Sequence, residues 1–414
     1  MKYIKVDTTN ILFVLLFLIP DRMIFLVNES RFSSLFHIEY TDFVLDIYLC
    51  VFLYVILRYR INILKNYYFS INVLCIIPIA IVAAIVPHVL FGQSIWDGFW
   101  AQREFLMLIC SYYLFRALIV EKIVSAEYLW NCIYKLSFIV TIVIIVQHFL
   151  ARYGIQILDL RYRTRFGVRI TNNITFSTIL IVGSLVLYFS ASSNREKIIG
   201  GIGLVMAYYH CIFVLQTRIV MVAYGALTIF ITMFYRNKIG KKVFYMFIIL
   251  GLILVVLQSE LGQYLLTSVM DSSTDKSALI REIGKELYKV EISKSPLVGR
   301  GYPHYSCPDA WSAAGLYDRL NLNDNGMYAF AYIYGFIGLG WYIWITIKMF
   351  ICSYEAAKKG DFRFLLFTLF LQIICTNIIW WYWKFSFGSI MTLMLAMMEE
   401  YHKNILNSKV RIVL

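Results

Sequence analysis

The sequence predicts an all-α integral membrane protein, and three observations carry that reading. The 414 residues are 60% hydrophobic and 15% charged, with a mean hydropathy of +0.71. A soluble domain is nearer half apolar and carries more charge. Runs such as Ile71 to Leu90 and Val243 to Leu257 approach or reach the roughly 20 apolar residues that cross a bilayer. Lys and Arg collect in alternate connections between such runs, the pattern of a multi-pass protein with a fixed orientation.

About twelve spans follow from the apolar runs, near 10–28, 43–57, 70–90, 104–120, 129–150, 176–191, 198–215, 219–235, 243–258, 326–350, 362–382 and 385–401. The first is the least regular, because Asp21 and Arg22 interrupt it; no small-residue cleavage site follows it, so it is expected to be retained. With the N-terminus inside, the cytoplasmic connections "RYRINILK", "SSNREK", "YRNKIGKK" and "AAKKGDFR" are basic, although "EKIVSAEY" is not. The tail after Tyr401 adds Lys403, Lys409 and Arg411. Short connections on the other side hold only Arg103, Arg218 and Lys384, plus Arg22 and Arg31. Both termini are therefore expected in the cytoplasm. Three regions result: residues 1–258 with nine helices, an outer loop over 259–325, and 326–414 with three helices and a tail.

Two outer loops break the charge rule. Residues 151–175 carry Arg152, Arg161, Arg163, Arg165 and Arg169 against the single acid Asp159. Arg218 lies in the tight turn "LQTR" at the start of the eighth span, where snorkelling to headgroups competes with a functional role. The long loop reads as an amphipathic helix: a cap at Asp275, an apolar face of Ile280, Ile283, Leu287 and Val290, and a basic flank of Arg281, Lys285 and Lys289. Neutralisation by Glu282, Glu286 and Glu291 would make it an ordinary solvated helix instead. "PLVGRGY" follows, with Gly299 and Gly301 flanking Arg300 in a turn where backbone can approach a ligand closely.

His37, His88, His148, His210 and His304 fall on the outer side and only His402 on the inner. His304 is the best-placed general base of these. Asp324 and Asn325 sit where the chain re-enters the membrane, as catalytic groups or as helix caps. Trp380, Trp381 and Trp383 suit either sugar stacking or an interfacial belt. His304 and Cys307 are too few ligands for a metal, and seven of eight cysteines lie in or beside spans, so neither metal nor loop disulfide is implied. The +13 charge points to an anionic partner other than nucleic acid, since no basic domain stands apart from the membrane.

In order and spacing these features resemble the O-antigen polymerase and O-antigen ligase group of membrane glycosyltransferases. "QTRIVMVAYG" is similar to that group's "SRG"-type motif, Arg281 precedes "P-x-x-G-x-G" in the long loop, and Asn325 opens a segment continuing "YGFIGLG". The ligases carry His where Asp324 stands, which leaves the base open between Asp324 and His304. The resemblance implies a GT-C-like fold in a bacterial inner membrane, a periplasmic long loop, no cofactor, and undecaprenyl-pyrophosphate-linked oligosaccharide as substrate. A polysaccharide chain-length regulator and membrane lipids are the implied partners. Arg218 and Arg281 would hold the pyrophosphate, assisted by Arg165, Arg169 and Arg300, with Gly299, Gly301 and Asn325 in the substrate site. A ligase, and a lipid-linked oligosaccharide flippase or transporter, are the competing expectations. Asp46, the one clearly interior acid in a regular span, is little for proton coupling.

Overall fold

The computed structural model describes residues 14–60, 68–120, 122–164, 167–171, 174–235, 276–317, 320–377 and 385–413. It is mostly helical (78%). In chain order the first helices are α1 (Glu29–Phe36), α2 (Tyr40–Tyr59), α3 (Ser70–Phe91), α4 (Ile95–Trp100), α5 (Glu104–Val120) and α6 (Ala126–Arg152). A hairpin of β1 (Arg161–Thr164) and β2 (Val168–Thr171) follows, then α7 (Thr175–Ser190), α8 (Asn194–Leu215) and α9 (Arg218–Phe234). The last described helices are α10 (Lys276–Lys294), α11 (Pro308–Ala313), α12 (Gly326–Lys358), α13 (Arg363–Asn377) and α14 (Phe385–Val413). Among the described residues, α2, α3, α6, α8 and α12 are long and apolar enough to cross a membrane.

The runs expected at 43–57, 70–90, 104–120, 129–150, 176–191, 198–215 and 219–235 fall on α2, α3 and α5 to α9. Those at 362–382 and 385–401 fall on α13 and α14. The run at 243–258, the cap at Asp275, Arg165 and the three tryptophans lie outside the described residues.

α5 packs between α14 and α2, α7 between α8 and α6, and α13 between α12 and α9. α7 is buried on every side from Thr175 to Leu185, as a helix that is apolar all round must be. The longer helices turn Leu57, Val89, Ile139, Val205 and Phe336 outward, fully or half exposed. Apolar surface repeated on so many helices is at home in hydrocarbon rather than water.

Two runs depart from expectation. The first is not one helix. Residues 14–18 are helical, the chain turns at Ile19 to Asp21, and Arg22 to Phe25 take φ values of 52 to 62°. Pro20 removes a backbone donor, and left-handed non-glycine residues cost roughly 1–2 kcal/mol each. Tertiary bonds offset that cost. Arg22 Nη1 meets Asp159 Oδ2 at 2.8 Å, and the Asp159 N–H donates to Phe25 O at 2.8 Å.

The second is α12, which breaks at Gly335 (φ 60°, ψ −161°). The segment after Pro296 fills the break. Phe336 N–H donates to Pro296 O (2.8 Å) and Ile337 N–H to Leu297 O (3.1 Å), while Arg300 N–H reaches Tyr332 O (2.6 Å) and Gly301 N–H reaches Ile333 O (3.1 Å). Tyr302 N–H then bonds Ala83 O of α3 at 2.8 Å. Backbone groups freed by the break are thereby satisfied, which an apolar surround demands. Phe336 to Lys358 alone spans about 34 Å, enough to cross a bilayer, so Gly326 to Tyr334 is free to project with α10.

Gly299 and Gly301 serve this clasp. Their φ values are +71° and +78°, and a Cβ on Gly299 would lie 2.6 Å from the carbonyl oxygens of Ile333 and Tyr332. The close approach is to the chain's own backbone, so neither glycine needs a ligand to account for it. Gly299→Ala is expected to destabilise the protein by about 1–3 kcal/mol. Thermal unfolding in detergent checks this against Gly225→Ala, where a Cβ meets nothing within 4 Å; equal midpoints would refute the clasp.

Candidate functional site at the upper end

The up-and-down helices bring one set of ends together, here called the upper end. A chain of contacts defines it: Arg103 pairs with Asp42 and Glu39, Tyr40 Oη donates to Ile19 O (2.6 Å), and Arg22 pairs with Asp159 beside the hairpin. Arg363 with Asp361 and Glu127 marks the opposite, lower end.

The hairpin converts a basic loop into a basic face. Its register sets Tyr162 opposite Ile170 and Arg163 opposite Arg169. Alternation then places Arg161, Arg163 and Arg169 on one face and the buried Ile170 on the other. Arg161 and Arg163 are exposed. Like charges directly across an antiparallel pair are destabilising, and the register sets Arg163 directly across from Arg169. Arg169 Nε donates to Leu215 O (2.9 Å) and its Nη2 to Thr217 Oγ1 (3.4 Å). There α8 ends in a π-helical turn, His210 to Leu215, and Gln216 reverses the chain at φ 50°. Half-buried Arg218 opens α9 directly afterwards. Arg169 thus holds the turn that presents Arg218.

The histidines here are supports. His148 Nε2 pairs with Val168 O at 3.0 Å, and His210 is buried. His88 Nδ1 meets Gln93 O at 2.8 Å at the end of α3.

α10 meets α12 through Gly284, Tyr288 and Glu291, all buried. Ile280, Ile283 and Val290 of the expected apolar face are exposed, joined by Leu279, while Leu287 is half-buried. Arg281 is exposed. Glu291 departs from the solvated reading. It lies 2.5 Å from Lys294 and 3.0 Å from Arg300, whose guanidinium also stacks on Phe91 at 5.1 Å. Arg300 is therefore engaged in joining α10 to α3 and the clasp. Asn325 holds the N-cap position of α12 but makes no side-chain cap. Its Nδ2 bonds Asn321 O (3.1 Å), and its amide fills the space above Gly284, where a Cβ would come within 2.7 Å. Asp324 is half-buried in the single turn Leu322–Asp324.

His304 lies against α3 and α4. Its backbone N–H donates to Gln93 Oε1 (2.8 Å), and its Nδ1 lies 2.7 Å from Ser306 Oγ. Ser306 Oγ donates to Asp97 Oδ2 at 2.6 Å. Asp97 was not legible as a site residue, because "SIWD" reads as a helix start; the Asp97 N–H does reach Ser94 Oγ, at 3.4 Å. Burial pushes the neighbouring Tyr302 phenol up.

The lower end holds a polar network that no motif announced. Arg116 is buried, donates to Ser70 Oγ (3.3 Å) and lies over the Tyr113 ring at 5.1 Å. Tyr112 donates to buried Glu399, and Lys348 Nζ reaches Tyr68 O (2.6 Å) and Asn72 Oδ1 (2.8 Å). Asp46, expected to be interior, is exposed on α2. Among the described residues, Glu399 on α14 is an acid buried inside the bundle.

No protein-family model matches this chain, and no curated protein matches it.

Proposed function

We propose that the chain is a metal-independent membrane glycosyltransferase, a surface-polysaccharide polymerase. It joins undecaprenyl-pyrophosphate-linked repeat units at the outer face of a bacterial inner membrane. In this reading it has about twelve spans and a GT-C-like fold, a periplasmic loop over 259–325 and both termini in the cytoplasm. One observation carries the proposal: the hairpin sets Arg163 against Arg169 beside Arg161 and holds Arg169 on the turn before Arg218. A face that sets two arginines directly opposite each other suits an anionic ligand. Transfer of a glycan from the carrier releases pyrophosphate. Paired guanidinium hydrogen bonds bind it and stabilise the charge that grows on the leaving oxygen. Arg281, exposed on α10, is the loop-borne member of this set, and His304 takes the proton of the acceptor hydroxyl.

A flippase or transporter is the second reading, favoured by buried Arg116 and Glu399 together with the broken α12. Deletion of the gene in its host separates the readings on gels of lipopolysaccharide and lipid-linked intermediates. Polymerase loss leaves lipid A–core with one repeat unit and no ladder. Bare core with polymer on the carrier means ligase, and single units held at the inner leaflet mean flippase. Arg163→Ala with Arg169→Ala is expected to shorten or erase the ladder at unchanged protein level, and an intact ladder would remove the anion role.

A further inference from the structure

The protons of the His304, Ser306 and Asp97 cluster are decided by its distances. Ser306 Oγ lies 2.7 Å from His304 Nδ1 and 2.6 Å from Asp97 Oδ2, while Nδ1 and Oδ2 are 3.8 Å apart. A carboxylate only accepts, so the Ser306 hydroxyl proton points at Asp97. The serine oxygen must then accept on its other side, which requires a proton on Nδ1. A bare Nδ1 would gain only the 3.2 Å contact from the Ser306 backbone N–H. It would also leave one of the two short contacts as acceptor against acceptor. Two short bonds outweigh one long one. In the neutral ring the lone pair therefore sits on Nε2, which none of the described residues hydrogen-bonds.

We propose that Asp97 and Ser306 are positioning residues that fix His304 as the general base, with Nε2 as the proton-accepting atom; this rests on the glycosyl-transfer reading above. The acceptor O–H breaks, its proton passes to Nε2, and the oxygen bonds the anomeric carbon. The bond from that carbon to the pyrophosphate oxygen breaks, and its electron pair leaves with the pyrophosphate. The ring becomes an imidazolium whose Nδ1–H stays on Ser306, with the Asp97 carboxylate 3.8 Å away. Gln93 holds the His304 backbone through Oε1 and the Tyr302 carbonyl through Nε2 (3.0 Å), so the segment carrying His304 is anchored from the turn between α3 and α4. The exposed Tyr305 ring lies 4.2 Å from the imidazole and covers one side of it.

The test is nitrogen-15 NMR of the full-length chain in lipid with labelled histidine, the His304 signals assigned by their loss in His304→Gln. The wild type is expected to show a protonated Nδ1 and a bare Nε2. Ser306→Ala and Asp97→Ala are expected to move the population to the other tautomer, and Ser306→Thr, which keeps a hydroxyl, to restore it. With purified lipid-linked repeat units, Ser306→Ala is expected to lower kcat by up to about 10²-fold at unchanged KM. A wild-type ring protonated on Nε2, or a Ser306→Ala ring with its tautomer unchanged, overturns the relay. Expected tautomers with full turnover in His304→Gln overturn the base role. Expected tautomers in a chain that transfers no glycan at all place the fault in the glycosyl-transfer reading, and the base role falls with it.

Discussion

Arg218→Ala is expected to abolish polymer formation while leaving membrane insertion and protein level unchanged. Arg218 opens α9, where the first backbone N–H groups lack helical partners and the helix dipole favours an anion. Its half-buried guanidinium is permanently charged and presents a planar fork that matches phosphate oxygens. Loss of one donor at a developing negative charge costs about 10²–10³ in rate. Arg218→Lys keeps the charge without the fork and is expected to recover only part of the activity. Arg281→Ala is expected to lose activity with no change in thermal midpoint, because the side chain is exposed. A normal ladder from both alanine variants would end the pyrophosphate role. Lost insertion in Arg218→Ala, with normal activity per molecule inserted, would make it a topological arginine alone.

Arg116→Ala carries the largest expected stability loss. Arg116 is 2% exposed, and its charge acts on Glu399, likewise 2% exposed and accepting from Tyr112. Removing one partner of a close buried charged pair costs about 3–5 kcal/mol, which is the upper bound for two charges that act on each other here without a direct bond. Glu399→Gln is expected to be milder, since a neutral amide oxygen still accepts from Tyr112. Combined with Arg116→Ala it is expected to restore part of the loss, and a double-mutant cycle of thermal midpoints in detergent measures the coupling. Simple additivity would show that the two charges do not sense each other. The same variants bear on function: a flippase or transporter using this acid fails with Glu399→Gln, whereas a polymerase tolerates it once folded.

Sequence by itself determined where most helices lie. The apolar runs at 43–57 and 129–150 were readable because chain hydropathy and the length of the helices they form answer to the same slab of hydrocarbon. It also flagged the arginine-rich loop, since charge against the positive-inside trend is a local property. The tertiary structure alone decided what those residues touch. The period-2 pattern in "RYRTRFGVRIT" is too short to announce a hairpin, so the Arg163–Arg169 opposition came only with the register. Gly299 and Gly301 looked like a ligand turn and sit in a clasp on the broken helix α12. Arg300 looked available and is engaged by Glu291, while Asp97, which no motif singled out, sits 209 residues from the Ser306 it accepts from. Hydropathy and capping are summed over neighbours in sequence, but a hydrogen bond depends on neighbours in space. Which charges are left for chemistry is therefore settled only after the helices have packed.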